Sequence, residues 1–561
     1  MSFTNLVDRL RDRLPLVGVA VAVALMAVVV PSVSENTGDN AATGAITDVG
    51  GITIEKPADE AGLSPVDNAA EGATETGGSN PSPAGGSAPS AGGNAAPPPG
   101  TNLPAAAGTV SLCADRTLQV PGDTYSPPCI AFAGTNAGAN SQGVTDTEIV
   151  VAARVLNEPG FQQALAAVAG AEIDDTPEDF KRTAVALVEY FNTRFQFYGR
   201  QIKLVFFDGK GSSTNEVLGG GQEEAEADAI HVDEKIGAFA EVNAGTPPYT
   251  DALSRRGIVA FNAPYMSREW YTSRRPYAWS LTTDCSIIVE TVAEYIHKRM
   301  MDGTAIHARG SIEGAPRKFV ALAPENPWYQ ECVDAGEAIL KSYGRPPTSR
   351  LAYKLDLGSM SNQASNIIAR LKSDSITSIL CGCDPVFPIF LTSKASEQNY
   401  HPEWVVTGTA LTDLDLIGQL YDQDQWSRAF GVSYLGSPQP LRASYGYQAY
   451  KAVRDDEPAF AVDLVYYALY MLAIGIQGAG PELTPATFEQ GMFEYPGGTG
   501  PLGTWGFGPQ NYTPTEDARE IWWDPERTSK QNNERGAYVE SEPGVRYRTG
   551  QWPTGEPRVF Q

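Results

Sequence analysis

Cysteine and carboxylate side chains of the kind that ligate metals stand together at Cys381-Gly382-Cys383-Asp384. Such a motif forms a metal site when a second cysteine pair or a histidine cluster completes the coordination. The chain has no second pair at this spacing, and its four histidines are scattered along the sequence: His231, His297, His307 and His401. The motif therefore favours a disulfide partner over a metal, and the sequence predicts no metal or other cofactor.

Motifs for phosphate binding and nucleophilic catalysis are incomplete. Gly219-Gly220-Gly221 precedes an acidic helix, but no lysine stands at the spacing of a phosphate-binding loop. The segment Gly431–Gly436 is not a nucleophile elbow, because its second glycine comes one residue late. No serine, histidine and aspartate fall together at strand ends, so the sequence predicts a protein that is not an enzyme.

Composition narrows the class of partner. The chain has 561 residues, with 41 Lys and Arg against 67 Asp and Glu, a formal net charge of −26. This excess of acid repels a polyanion, so no nucleic-acid partner is expected. Hydrophobic residues make up 42% of the chain, enough for a substantial core, and the length exceeds one compact domain.

The N-terminus predicts export. Three arginines at Arg9, Arg11 and Arg13 precede an uncharged run from Leu14 to Val30. A run of this length is either a signal-peptide core or a short membrane span, and the arginines place the residues after the run outside the cytoplasm. Residues 1–30 are therefore a signal or an anchor; we expect an anchor, so that the protein contacts the membrane through this segment.

Residues 31–110 predict a flexible tether. Of these 80 residues, 47 are Ala, Gly, Pro or Ser, and none is aromatic. A segment of this composition cannot bury enough apolar surface to offset its loss of entropy on ordering. A long tether is useful behind a retained membrane anchor, which is why we favour the anchor.

Alternating strand and helix patterns begin near Thr145. Thr176 followed by Pro177 and two acids predicts a helix start, and Pro247–Arg255 predicts another helix. Strand–helix alternation of this kind indicates parallel sheets with helices on both faces. The fold class is α/β, with two doubly wound lobes joined by a hinge. The predicted domain of residues 111–561 divides into lobe 1 (145–282 and 435–500), lobe 2 (283–434) and an irregular extension (501–561).

The carboxyl ends of the parallel strands predict where a ligand binds, because ligands of open parallel sheets lie beyond those ends. If the two lobes face each other, the loops after these strands line one cleft. In lobe 1 the loops are Leu156–Gly160, Asp208–Thr214, Glu241–Thr246 and Asn262–Ser267. In lobe 2 they are Pro324–Tyr329, Gly382–Asp384 and Thr407–Thr409.

Several stretches of residues 145–500 resemble the type 1 periplasmic binding proteins of the leucine/isoleucine/valine-binding family. The likeness is carried by Thr145–Phe207, Ile236–Leu253, Arg255–Tyr265, the pair Trp328-Tyr329 and Pro402–Leu411. The resemblance implies a two-lobe receptor that closes around a small solute and delivers it to the membrane subunits of an ABC-type permease.

The resemblance also implies a set of ligand-binding residues in the cleft. In lobe 1 these are Asn243, Thr246, Tyr265 and Ser267, and in lobe 2 Tyr329, Asp384 and Thr409. Thr246 and Asn243 are expected at an anionic or polar end of the ligand, and Asp384 at a cationic group. The turn Asn243–Thr246 is followed by Pro247-Pro248, which removes two N–H donors. This departure weakens the expectation of a plain branched-chain amino acid.

Six cysteines suit an oxidising compartment. Cys113 and Cys129 flank a short loop, so we expect them to form a disulfide. The other four, Cys285, Cys332, Cys381 and Cys383, fall near the cleft end of lobe 2 and allow three pairings, of which Cys285–Cys332 is one.

The functional expectation is an extracytoplasmic protein that captures a small polar solute, an amino acid or an amide-like molecule, for an ABC importer. Two alternatives stay open at this stage. One is a tethered receptor of the same fold that regulates a partner without transport, and the other is an enzyme that shares the fold.

Overall fold

The computed structural model describes residues 106–156, 176–459 and 461–561. The predicted anchor (1–30), most of the predicted tether and most of the loop Leu156–Gly160 lie outside these described residues.

A hairpin opens the described chain. Strands β1 (Ala107–Leu112) and β2 (Ile130–Thr135) pair antiparallel. The predicted Cys113–Cys129 disulfide is confirmed and closes the loop between them, with the two Cα atoms 5.4 Å apart. Strand β1 begins at Ala107, a few residues before the predicted end of the tether, because pairing with β2 extends through Ala107 and Thr135.

Lobe 1 contains a five-stranded parallel sheet in the order β4-β3-β5-β6-β7. Its strands are β3 (Glu148–Val155), β4 (Gln201–Asp208), β5 (Ala240–Glu241), β6 (Val259–Phe261) and β7 (Ala278–Trp279). The helices between them are α1 (Pro177–Arg194), α2 (Ser213–Val217), α3 (Gln222–Ile230), α4 (Pro247–Arg255) and α5 (Arg268–Thr272). Helix α1 packs on one face of the sheet, and α3 and α4 pack on the other.

Helix α1 begins where the sequence predicts. The Thr176 hydroxyl accepts a hydrogen bond from the Asp179 N–H, and the Asp179 carboxylate accepts one from the Thr176 N–H. This reciprocal capping satisfies N–H groups that the helix itself leaves unpaired. One face of the helix then buries Ala184, Leu187 and Phe191 against the sheet.

Lobe 2 contains an eight-stranded mixed sheet. Its parallel strands are β8 (Phe319–Pro324), β9 (Ser349–Tyr353), β10 (Ser378–Cys381), β11 (Glu403–Val406) and β12 (Ala429–Ser433). The helices of this lobe are α6 (Cys285–Tyr295), α7 (Pro327–Ser342), α8 (Leu357–Ser373), α9 (Phe387–Glu397), α10 (Asp415–Gly418) and α11 (Gln423–Trp426). Helices α6 and α7 cover one face of the sheet, and α8 and α9 cover the other.

The chain then returns to lobe 1. This part contains α12 (Tyr445–Lys451), α13 (Val462–Ala479), α14 (Pro485–Phe493) and the short paired strands β13 (Gly498–Gly500) and β14 (Gly503–Trp505). Among the described residues, α13 is long and apolar enough to cross a membrane, but 78% of it is buried inside the protein. It is a core helix of lobe 1, as its apolar sequence predicts.

The C-terminal segment differs from the irregular extension that the sequence predicts. Strands β15 (Asp517–Thr528), β16 (Arg535–Glu540) and β17 (Tyr547–Arg548) extend the lobe 2 sheet, with β15 antiparallel to β12. Strand β15 contains many charged residues, a composition typical of a solvent-exposed segment. In its first half, however, Arg519 and Glu520 are buried in ion pairs, Arg519 with Glu540 and Glu520 with Arg299, whereas Glu526 and Arg527 near its end are exposed.

Candidate solute-binding site

A cavity of about 120 Å³ lies on the α6 and α7 face of the lobe 2 sheet and opens toward lobe 1. Its floor is formed by β8 and β10 and by residues just after β10 and β11. Lobe 1 contributes Val217, Pro247, Pro264 and Tyr265. The cavity is therefore at the predicted carboxyl edge, but it extends beneath two helices of lobe 2.

Helices α6 and α7 form the apolar walls. Ile288 and Val292 of α6 face Val333, Gly336 and Leu340 of α7 across the space. The Cys285–Cys332 disulfide joins the two helices, with Cα atoms 5.9 Å apart. Of the sixteen residues of α7 only Leu340 is buried, so this helix stands off the sheet and leaves room beneath it.

Four hydroxyl groups contribute to the polar part of the lining, and they belong to Tyr265, Tyr329, Thr407 and Thr409. The acidic residue Glu337 also lines the cavity, and its carboxylate lies 3.8 Å from the Arg350 guanidinium. Burial raises the pKa of the Tyr265 and Tyr329 hydroxyls above the ordinary value, with nearby carboxylates acting in the same direction. Both phenols are therefore neutral at physiological pH and can donate as well as accept hydrogen bonds.

The loop after β11 holds an unusual backbone conformation beside the cavity. Ala410 and Leu411 have φ of +49° and +59°, values that cost energy for residues with a side chain. The Thr407 hydroxyl donates to the Cys381 carbonyl at 3.0 Å and lies 2.9 Å from the Thr409 hydroxyl. The Tyr265 hydroxyl faces the backbone N–H groups of Ala410 and Leu411. Lobe 1 is thus held directly against this strained loop.

A buried ion-pair network lies behind the lobe 1 wall of the cavity. The Arg154 guanidinium donates two hydrogen bonds to the Glu216 carboxylate, at 2.9 and 2.8 Å, and one to Asp228 at 3.3 Å. The Thr246 hydroxyl donates to the same Glu216 carboxylate, and the Arg154 guanidinium stacks 3.7 Å from the ring centre of Tyr249. All five side chains are at most 2% exposed.

Glu241 lies beside this network. Its carboxyl oxygens accept hydrogen bonds from the backbone N–H groups of Arg154, at 2.7 Å, and Asn243, at 2.9 Å. Burial is the largest effect on this group and raises its pKa to about 8, although the two hydrogen bonds and the Arg154 charge act in the opposite direction. Glu241 is therefore mostly protonated at pH 7 in the folded chain.

Glu241 should make the folded state less stable as the pH rises. The unfolded carboxyl loses its proton near pH 4.3 and the folded one near pH 8, so stability falls as pH rises between these values. Between pH 6 and 8 this group alone lowers the free energy of unfolding by about 2 kcal/mol. Glu241→Gln cannot accept both N–H groups and is less stable overall, but it lacks this dependence. Denaturant unfolding at pH 6 and 8 checks the difference in slope; equal slopes would contradict it.

The structure brings three of the seven predicted ligand-binding residues to the cavity: Tyr265, Tyr329 and Thr409. Asn243 and Thr246 do not line it. The Asn243 amide donates to the Arg154 carbonyl at 2.7 Å, and Thr246 belongs to the Arg154 network. Ser267 is the N-cap of α5, and its hydroxyl accepts from the Trp270 N–H at 3.1 Å.

Asp384 also does not line the cavity, because it has a structural role. One carboxylate oxygen accepts from the N–H groups of Val386, at 2.8 Å, and Phe387, at 3.1 Å, at the start of α9. The other oxygen accepts from the Tyr353 hydroxyl. Burial raises the pKa of Asp384 to about 6, against these hydrogen bonds. Both carboxylate oxygens of Asp384 are therefore hydrogen-bonded within the protein.

The remaining cysteines pair as Cys285–Cys332 and Cys381–Cys383, so the motif at residues 381–384 forms a disulfide with itself. In the three described stretches no group of three or more His, Cys, Asp or Glu side chains is arranged to hold a metal ion.

The apolar walls of the cavity are the part that sequence reasoning missed. Ile288, Val292 and Ile296 recur at the helical spacing of four residues, and all three line the cavity. This pattern is the same as that of a helix packed on a core, so the sequence holds no signal that separates the two. Gly336 alone offers a hint, since glycine is unfavourable inside a helix.

Comparison with known proteins identifies related chains. The sequence profile of the family described as "Periplasmic binding protein" matches residues 172–524, more than half of the chain. No curated protein sequence matches the chain.

Three solved structures are similar to the chain at low sequence identity. The leucine-, isoleucine-, valine-, threonine- and alanine-binding protein from Brucella ovis, in a closed conformation, is 10% identical at a TM-score of 0.50, covering 73% of this chain and 98% of that chain. A branched-chain amino acid transporter substrate-binding protein from Streptococcus pneumoniae, in complex with isoleucine, is 14% identical with a TM-score of 0.47. The match covers 70% of this chain and 100% of that chain. A fatty acid ABC transporter substrate-binding protein from Thermomonospora curvata is 14% identical with a TM-score of 0.48. The match covers 72% of this chain and 94% of that chain.

Proposed function

Because the chain belongs to the periplasmic binding protein family, we propose that it is the solute-binding component of an ABC importer and that it binds its solute in the cavity beneath α6 and α7. It works outside the cytoplasm, held at the membrane by its N-terminal segment, and passes the solute to the permease subunits of the importer. The observation that carries this proposal is a mainly apolar cavity at the carboxyl edge of the lobe 2 strands, bordered by residues of both lobes.

The size of the cavity limits the solute. At about 120 Å³ it is close to an engineered apolar cavity of about 150 Å³ that binds benzene. A single ring or a short branched aliphatic chain fits this space. The proposed occupant is therefore a small solute that inserts a compact apolar group between α6 and α7.

The polar residues of the lining limit which chemical groups the other end of the solute can carry. The hydroxyl groups of Tyr265, Tyr329 and Thr409 can bind an amide, an ester or an alcohol. No lysine, arginine or histidine is among the described residues that line the cavity, so a carboxylate would be buried without a cation. An amide-like solute is thus a better fit than a free amino acid, whose side chain fits but whose carboxylate lacks a partner.

Solute in this cavity should favour the closed arrangement of the lobes. Tyr265 reaches from the loop after β6 into the apolar clusters of lobe 2, and Val217 and Pro247 border the same space. A solute that contacts both lobes gains interactions that an open arrangement lacks, which shifts the population toward closure.

Gly336→Leu tests the proposal by filling the cavity. A Cβ at Gly336 would lie 3.3 Å from the Val289 Cβ, which is tight but not a clash. Because Gly336 and Val289 both line the cavity, we expect the larger side chain to reduce its volume. The helix tolerates the change, since leucine is favoured over glycine in a helix by about 0.8 kcal/mol. Loss of a buried ring costs roughly 2–3 kcal/mol, so affinity should fall about 100-fold.

Ala335→Leu is the matched control, because Ala335 is exposed on the same helix. Thermal-shift screening of the full chain against neutral and charged metabolites supplies the solute, and calorimetry compares the variants. If Gly336→Leu and Ala335→Leu bound the solute with equal affinity, the binding site would lie outside the cavity beneath α6 and α7. A screen in which no solute stabilises the wild-type chain would contradict the proposed function itself.

A further inference from the structure

We propose that Glu216 is a built-in carboxylate that occupies the chain's own carboxylate-binding subsite in lobe 1, and so makes the protein select uncharged solutes over carboxylates. The inference rests on the proposed function, since it concerns which solutes the cavity accepts.

The groups around Glu216 are those that recognise a carboxylate. The Arg154 guanidinium meets it with two parallel hydrogen bonds, at 2.9 and 2.8 Å, and the Thr246 hydroxyl donates to one of the same oxygens. A planar guanidinium that binds both oxygens is the usual protein partner of a carboxylate. Here that partner is fully taken by a side chain of the protein, and Arg154 is 2% exposed.

The backbone near Glu216 is shaped to admit its side chain. A Cβ on Gly211 would collide with a Glu216 carboxylate oxygen, and a Cβ on Gly221 would lie 2.9 Å from the Glu216 Cγ. Gly221 also has φ of +66°, a conformation that favours glycine. The two glycines thus let the backbone approach the Glu216 side chain closely, and a larger residue at either position would displace that side chain.

The ion pair is next in sequence to residues that line the cavity. Glu216 precedes Val217, and Thr246 precedes Pro247, and both Val217 and Pro247 line the cavity. A solute therefore meets an apolar surface on lobe 1, and the Arg154 charge behind it is already neutralised. A solute carboxylate would lose its hydration without gaining a partner, which is strongly unfavourable.

The test removes the internal carboxylate and offers a free one. Glu216→Ala deletes a CH₂–COO⁻ group, which corresponds to acetate, and leaves Arg154 beside the hole. Small molecules enter buried cavities of this kind. Acetate at 0.1 M should raise the melting temperature of Glu216→Ala by about 2–4 °C, whereas acetamide and equimolar chloride should not. Acetate should leave the wild-type chain unchanged.

A second readout separates selectivity from a purely structural ion pair. In Glu216→Ala, 4-methylpentanoate should bind at least about tenfold more tightly than acetate, because its branched chain reaches the cavity. Adding Gly336→Leu should cancel that gain. The inference would be overturned if Glu216→Ala bound acetate and 4-methylpentanoate with equal affinity. It would also be overturned if acetate raised the melting temperature of the wild-type chain as much as that of the variant.

These outcomes are independent of the solute screen. A failed screen with successful acetate rescue would contradict the proposed function but not the carboxylate subsite, and the reverse result would contradict the subsite alone. If Glu216→Ala is recovered only from buffer that contains acetate, the refolded yield in acetate against acetamide replaces the thermal shift. Recovery in neither buffer would count against the proposal.

Discussion

Arg154→Met is expected to destabilise the folded chain by about 3–5 kcal/mol, the range for removing one partner of a buried ion pair. Methionine keeps the unbranched apolar stem of arginine but lacks the guanidinium group, and so leaves the carboxylates of Glu216 and Asp228 buried without a cation. It also removes the stacking of the guanidinium on Tyr249. Loss of this network should loosen the loops that carry Val217 and Pro247, and with them the lobe 1 wall of the cavity.

Arg255→Met is the matched control for Arg154→Met. Arg255 pairs with Glu226 and Asp251 on the surface and is 57% exposed, so the same substitution should cost less than about 1 kcal/mol. Guanidinium denaturation of the two variants measures the difference. Similar losses for both would mean that the buried network contributes no more than a surface pair.

Trp523→Ala is expected to cost about 3–5 kcal/mol, the range for deleting a large side chain from a core. Trp523 lies on β15, is fully buried and packs edge-to-face on Tyr538 with ring centres 4.9 Å apart. Its indole N–H donates to the Gln423 side chain at 2.9 Å, and the ring also packs against Gly418 and Gly536. The substitution would leave a cavity at the joint between the C-terminal strands and the rest of lobe 2.

Trp270→Ala provides the comparison for Trp523→Ala. Trp270 is half-buried on α5 and stacks with the Arg274 guanidinium at 4.0 Å, a contact of about 1 kcal/mol at such a site. Thermal unfolding followed by tryptophan fluorescence, with circular dichroism as a second probe, distinguishes the two. If Trp523→Ala were no more destabilised than Trp270→Ala, the C-terminal segment would be an appendage and not part of the lobe 2 core.

Local signals in the sequence predict the elements of this fold well. Helix α4 begins and ends where Thr246, the two prolines and Arg255 indicate, and α1 has the predicted capping residues. The signals are strong because each depends on residues close together in the chain. The C-terminal strands are not predicted, because their charged residues are typical of a solvent-exposed segment. The residues that pair with these charges lie far away in the sequence, as Arg299 does for Glu520.

The predicted ligand-binding residues coincide only in part with the residues that line the cavity, for two physical reasons. Asp384 and Thr246 stand at the predicted strand ends, but their polar atoms are used to cap α9 and to bind Glu216. A carboxylate that caps a helix and one that binds a ligand have the same local sequence. The pairing of Arg154 with Glu216 spans 62 residues, so nothing local in the sequence reveals it.

Hydrogen exchange of the full chain, with and without the solute from the screen, tests most directly whether the solute binds beneath α6 and α7. We expect slower exchange in α6, in α7 and in the loop of residues 407–413, because the solute packs against these segments. Helix α8 covers the opposite face of the same sheet and should be unchanged. Protection confined to the loop of residues 243–246, with α6 and α7 unchanged, would contradict the account.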